Sequence, residues 1–165
     1  MHASQTDADT MNQQAYDNGI DAIKAEDYAG AVRDFDECLG SIDEHHEKYN
    51  MVASYLGLSQ VLTDDPNGLL LCRDAGSSEV LEGRVFLNLA IAEWRSGNRK
   101  RAIDSLHRGC KIDSDHEKLK QARSLIDKRK KPVLDFLPRD HFLNTTLGRM
   151  FRRKEEGLSV ASLLY

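Results

Sequence analysis

Proline is scarce in this chain, and the little there is sits in telling places. Three prolines occur in 165 residues, and two of them, Pro132 and Pro138, fall close together near the end. Only Pro66 interrupts the first 131 residues, so long helices meet few breaks there. Cysteine is equally sparse: Cys38, Cys72 and Cys110 are odd in number, lie 34 and 38 residues apart and form no CxxC pair. That spacing offers no disulfide framework, and each thiol sits among apolar neighbours as a small hydrophobe would. No apolar run approaches the roughly 20 residues of a membrane span, and residues 1–14 show neither a basic n-region nor an apolar h-region. A cytoplasmic location is the expectation.

Catalytic signatures are missing as well. GxGxxG, GxxxxGK, GxSxG and HExxH do not occur, which removes the local signals for dinucleotide, P-loop, hydrolase-elbow and zincin chemistry. His45 and His46 lie between Glu44 and Glu47, but adjacent helical residues point about 100° apart and no distant pair completes a metal site. Asp34 and Glu37 sit one turn apart in a solvated pattern rather than as an acid and base pair. The expectation is a non-enzyme with no cofactor and no metal.

What the chain does contain is helical periodicity. Hydrophobic residues make up 40 % and charged residues 30 %, enough for one domain with a core of its own. Apolar positions recur every three or four residues nearly throughout, and no sustained alternation suggests a strand. The pattern predicts helices over about 10–25, capped by Thr10, and 28–39, capped by Asp27. A third is expected over 44–62, and a fourth from Pro66, behind a capping Asp65, to Ala75. A fifth should run from Ser77 or Ser78 to a terminating Gly97, with Val80 and Leu81 on its buried faces. The sixth should begin at Asn98, and a capping box at Ser114–Glu117 should open the seventh.

The helices repeat. Setting "NGIDAIKAEDYAGAVRDFDECL" from Asn18 over "LAIAEWRSGNRKRAIDSLHRGC" from Leu89 aligns Gly19 with Ala90, Ala31 with Ala102 and Phe35 with Leu106. A middle copy, "LGLSQVLTDDPNGLLLCRDAGS" from Leu56, matches through Leu56 and Gly57 but carries Leu69 and Arg73 at the later positions. The successive offsets are 38 and 33 residues. This pattern resembles the tetratricopeptide repeat family, whose unit of about 34 residues is an antiparallel helix pair. The resemblance spans about residues 11–114; the unit-start aromatic is Ala15, Ala53 and Phe86, kept only in the third, and the unit-end proline is replaced by Asp43, Leu81 and Ser114.

The resemblance implies an all-α, right-handed superhelix of antiparallel helix pairs, a TPR-like solenoid over 11–131 with a capping helix. Residues 1–10 would be a disordered N-terminus, and 132–165 an extended segment plus a basic amphipathic helix. In the family register the first helix of each pair lines a concave groove. That groove would collect Tyr16, Ile20, Ile23 and Lys24, then Tyr55, Leu58 and Leu62, then Leu87, Ile91, Trp94 and Arg95. In the subgroup that clamps acidic chaperone C-termini, basic and asparagine residues occupy the places held here by Tyr16, Ile20, Tyr55, Arg84 and Asn88. Arg84 alone is basic, so that specificity is not expected. The implied function is a protein-binding adaptor that holds a peptide or partner subunit in an apolar groove, a specialised chaperone or assembly factor being its narrower form.

The stretch "KKPVLDFLPRDHFLN" completes the expectation. Val133, Leu134, Phe136 and Leu137 form an apolar strip between two prolines, and Phe142, Leu147 and Phe151 mark one face of a following helix. These residues are expected to dock on the solenoid, in cis, swapped into a second copy, or on a partner. Charge is uneven too: residues 1–116 hold 21 acids and 11 bases, residues 117–165 hold 6 acids and 12 bases. The basic runs at 128–131 and 152–154 therefore give a second reading, a tail that meets nucleic acid or an anionic membrane surface. Few aromatics accompany them and no nucleic-acid motif is present, which places that reading behind protein binding.

Overall fold

The computed structural model describes residues 11–126, and among these the backbone forms seven helices and no strand. They are α1 (Gln13–Lys24), α2 (Tyr28–Gly40), α3 (Tyr49–Leu62), α4 (Asn67–Ser78), α5 (Gly83–Arg95), α6 (Arg99–Ile112) and α7 (Glu117–Ile126). Each helix packs on the next in sequence. In addition α3 packs on α5, and α5 on α7. The domain is thus all-α, with its helices packed in sequential pairs. The expected disordered N-terminus and the docking tail from Val133 to Phe151 lie outside the described residues.

Three turns inside the pairs are built alike. After α1, α3 and α5 the chain passes through Glu26, Asp64 and Gly97, all with positive φ (59°, 62° and 79°). The following residue then reaches back five positions: the N–H groups of Asp27, Asp65 and Asn98 donate to the carbonyls of Ala22, Gln60 and Glu93 at 2.9, 2.8 and 2.8 Å. A left-handed residue with a six-to-one bond is a Schellman stop, and the next residue is placed to begin the partner helix. Asp27 does so through its side chain, which accepts from the Gly30 N–H at 2.9 Å. Asp65 accepts from the Asn67 N–H at 2.9 Å, behind Pro66. Glu26, Asp64 and Gly97 recur at the same 38- and 33-residue offsets as the apolar pattern.

Small residues let the pairs close. A Cβ on Gly19 of α1 would come within 2.8 Å of the Phe35 ring of α2, and one on Gly57 of α3 within 2.7 Å of the Gly68 carbonyl oxygen of α4. Gly68 therefore supplies the close approach in the middle pair, where the expected alanine place holds Leu69. Ala31, Ala102, Phe35 and Leu106 are all fully buried, as the repeat requires.

Several helix ends differ from the expectation. Asn12, not Thr10, caps α1: its side chain accepts from the Ala15 N–H at 3.1 Å while its own N–H donates to Ser41 Oγ at 2.9 Å. The third helix starts at Tyr49 rather than Glu44, because Asp43 Oδ1 accepts from the His45 N–H and His46 Nδ1 from the Lys48 N–H, forming turns instead. Ser77 and Ser78 end α4 rather than opening α5. Between them the buried Glu79 carboxylate accepts from the N–H groups of Val80, Leu81 and Glu82 at 2.7 to 3.0 Å. Burial alone would raise this carboxyl, but the N–H groups of Leu81, Glu82 and Val80 and the Asn50 side chain outweigh it and lower its pKa. Val80 and Leu81, expected inside, stand 70 and 80 % exposed on this loop. At α7, His116 replaces Ser114 as the cap, its Nδ1 accepting from the Leu119 N–H at 3.3 Å.

Candidate partner-binding face

The residues expected to line the groove come from α1, α3 and α5; α3 packs on α5, and α1 joins them through α2 and the Tyr16 ring. Tyr16, Phe35 and Tyr55 form an aromatic cluster linking α1, α2 and α3. The Phe35 and Tyr55 rings stack at 5.1 Å between centroids, and Tyr16 meets each edge-on at 6.0 Å. The Tyr16 hydroxyl donates to Met51 Sδ at 3.8 Å. Such ring pairs contribute about 0.5–1.5 kcal/mol beyond their area, so the cluster fixes the spacing of the first pair against the second. Across the next junction, Asn88 Nδ2 on α5 donates to Ser54 Oγ on α3 at 2.9 Å, with both side chains buried.

Burial divides the expected contact residues. Ile23, Tyr55, Leu58, Leu87 and Ile91 are inside the main apolar cluster. Tyr16, Ile20, Leu62 and Trp94 are half-buried against it, and Lys24 and Arg95 are exposed. The expected contact residues that keep surface are therefore four half-buried aromatic and aliphatic side chains and two cations. Arg99 of α6 lies 5.2 Å from the Trp94 ring centroid and also donates to the Ile126 carbonyl at 3.0 Å, which ties the end of α7 to the start of α6.

Other charged groups brace the helices. Glu93 on α5 is buried and accepts Arg73 Nε at 2.7 Å, Arg73 Nη2 at 2.9 Å and Asn98 Nδ2 at 2.8 Å. The bidentate bond raises the Arg73 pKa further. Sequence reasoning missed this pair; its signal was an acid inside the most apolar helix, which needs a partner. A cavity of about 360 Å³ opens beside it, lined by Leu89, Arg101, Asp104 and Arg108 among others. Arg108 donates to the Gly76 carbonyl at 3.2 Å and lies 4.8 Å from the Phe86 ring centroid, so it too braces helices.

Cys72 is fully buried and burial, followed by the charge of Glu93, pushes its thiol far up; Cys38 is raised in the same way by burial and Glu37. A protonated, inaccessible thiol is neither a nucleophile nor a metal ligand. His116 is lowered by burial and then by Arg84, against the opposing pull of Asp113. Among the described residues no cluster of three or more His, Cys, Asp or Glu could hold a metal ion, and no helix is long and apolar enough to cross a membrane. No protein-family profile matches the chain, and no curated protein is similar to it in sequence.

Proposed function

We propose that this chain is a non-catalytic, tetratricopeptide-like adaptor whose stacked helix pairs hold another polypeptide on the face lined by α1, α3 and α5. The observation that carries the reading is the turn repeated at Glu26, Asp64 and Gly97, with its three equivalent long-range backbone bonds. Three units that stop alike, with α3 and α5 each packed on both flanking pairs, support a row of hairpins, and such a row curves into a superhelix with one concave face. Half-buried Tyr16, Ile20, Leu62 and Trp94 give that face the aromatic and aliphatic anchors that dominate peptide docking.

The test uses the immobilised full chain and an Ile20→Asp/Leu62→Asp variant, with folding checked by circular dichroism. A client retained by the wild type at high salt and lost by the variant supports apolar capture on this face. Equal recovery from both contradicts it. Binding that instead falls steeply as salt rises points to the basic tail and an anionic partner.

A further inference from the structure

α6 is a basic helix on an acidic body. It carries five bases and one acid, whereas residues 11–98 carry 6 bases and 16 acids. At about 100° per residue Lys100, Arg101, Asp104, Arg108 and Lys111 fall on one arc of the helix, and all of them are exposed. Arg101, Asp104 and Arg108 of that arc line the cavity of about 360 Å³, together with Arg73 and Ser77 of α4. From α5 it is lined by Leu89 and Glu93, and Ile91 points about 160° away from both. None of the residues expected on the groove lines this cavity, so it is a separate place on the molecule.

Its cations are only partly engaged. Both Glu93 oxygens are taken by Arg73 and Asn98, which leaves that carboxylate matched. Arg108 commits one of a guanidinium's five N–H groups to the Gly76 carbonyl. Among the described residues Arg101 makes no ion pair and no side-chain hydrogen bond. The Ser77 and Ser105 hydroxyls donate to the Asp74 and Arg101 carbonyls at 2.8 and 2.9 Å, so toward the cavity they can only accept. Asp104 adds a further acceptor. We propose that this cavity binds an acidic stretch of another polypeptide, with its carboxylates on Arg101 and Arg108 and its backbone N–H groups on Ser77, Ser105 and Asp104. A polypeptide brings anionic acceptors and N–H donors together, whereas a DNA backbone brings acceptors alone and meets Asp104 as a like charge. Arg101 and Arg108 are two turns apart, about 10 Å along α6, a distance spanned by carboxylates two to four residues apart on an extended chain. The volume lies near the lower end of the roughly 300–1,000 Å³ of ligand sites, which suits a few residues rather than a folded domain.

Fluorescence anisotropy of fluorescein-labelled hexaglutamate, titrated with the full chain at about 0.15 M salt, tests this. Binding should saturate, and Arg101→Glu should weaken it about tenfold or more, with unchanged circular dichroism because that side chain braces nothing among the described residues. Arg33→Glu makes the same charge change at an exposed position of α2 and should weaken binding less than about twofold, since a Debye length of about 8 Å screens distant charge. Binding that does not saturate, an affinity that Arg101→Glu leaves unchanged, or equal losses in the two variants would overturn the proposal. So would Arg101-dependent binding of oligo(dT) tighter than that of the peptide.

Discussion

Adding one methyl group at Gly68 should do more damage than its size suggests. A Cβ there would lie 2.6 Å from the Val61 backbone nitrogen and 2.7 Å from Gln60 Cβ, and would also overlap the Gly57 carbonyl oxygen. These are atoms of α3 itself, so the clash is relieved only by moving α3 and α4 apart. Overpacking of this kind costs about 1–3 kcal/mol, and two backbone atoms plus a Cβ fixed to the backbone put Gly68→Ala near the upper end. The better helix propensity of alanine returns up to about 1 kcal/mol, leaving a net loss of about 1–2 kcal/mol. Gly40 is the control: it is helical, with nothing within 4 Å of an added Cβ, so Gly40→Ala should keep the propensity gain. Urea unfolding followed by circular dichroism reads both. With a slope of about 1–3 kcal/mol/M, the midpoint should fall by roughly 0.5–1 M for Gly68→Ala and rise slightly for Gly40→Ala. A Gly68→Ala protein as stable as the wild type would refute the close crossing of the middle pair.

Conformational strain in the repeated turns gives an opposite pair of outcomes. Glu26→Gly should stabilise by up to about 1 kcal/mol by releasing a left-handed non-glycine residue, while Gly97→Ala should destabilise by about 1 kcal/mol although its Cβ would touch nothing; thermal melts check both. Arg73→Met should cost about 2–4 kcal/mol because it strands the buried Glu93 carboxylate, Glu93→Leu should cost less because Arg73 keeps contact with water, and Arg73→Met/Glu93→Leu should cost less than the sum of the two; the double-mutant cycle measures the coupling. His116 binds its proton less readily folded than unfolded, so its contribution is present above the unfolded pKa of about 6.5 and is lost as pH falls through the lowered folded value; His116→Asn should flatten that part of the stability profile. Iodoacetamide should label half-buried Cys110 first, with Cys38 and Cys72 reacting only on unfolding, as peptide mass mapping would show.

Much of the interior could be read from the sequence because it depends on local periodicity. Gly19, Ala31, Phe35, Ala102 and Leu106 were expected at helix crossings, and the buried ones among them line the core. Asp27 and Gly97 carry their signals within one turn of chain, so their roles as start and stop followed directly. The misplaced ends have a common cause: side chains making bonds that no local pattern announces. Asn12 is fixed by Ser41 and by Glu37, whose carboxylate accepts from its Nδ2 at 2.9 Å, contacts that exist only once α2 is packed. Glu79 takes three successive N–H groups and so ends one helix before the next begins, exposing Val80 and Leu81 that hydropathy places inside. For the candidate face, the family register named residues of α1, α3 and α5 but could not separate the buried Leu58, Leu87 and Ile91 from the half-buried Ile20, Leu62 and Trp94. Exposure depends on what lies across the face, which one helix's pattern does not contain.

The stacking of one pair on the next is tested most directly by nuclear Overhauser contacts in the full chain. Cross-peaks should join the Asn88 side-chain amide to the Ser54 Hβ protons, and the Phe35 ring to both Gly19 Hα and the Tyr55 ring. A folded helical protein whose Asn88 amide shows no α3 neighbour, or whose Phe35 ring contacts α1 but not α3, would contradict the sequential packing of pairs on which the proposed binding face depends.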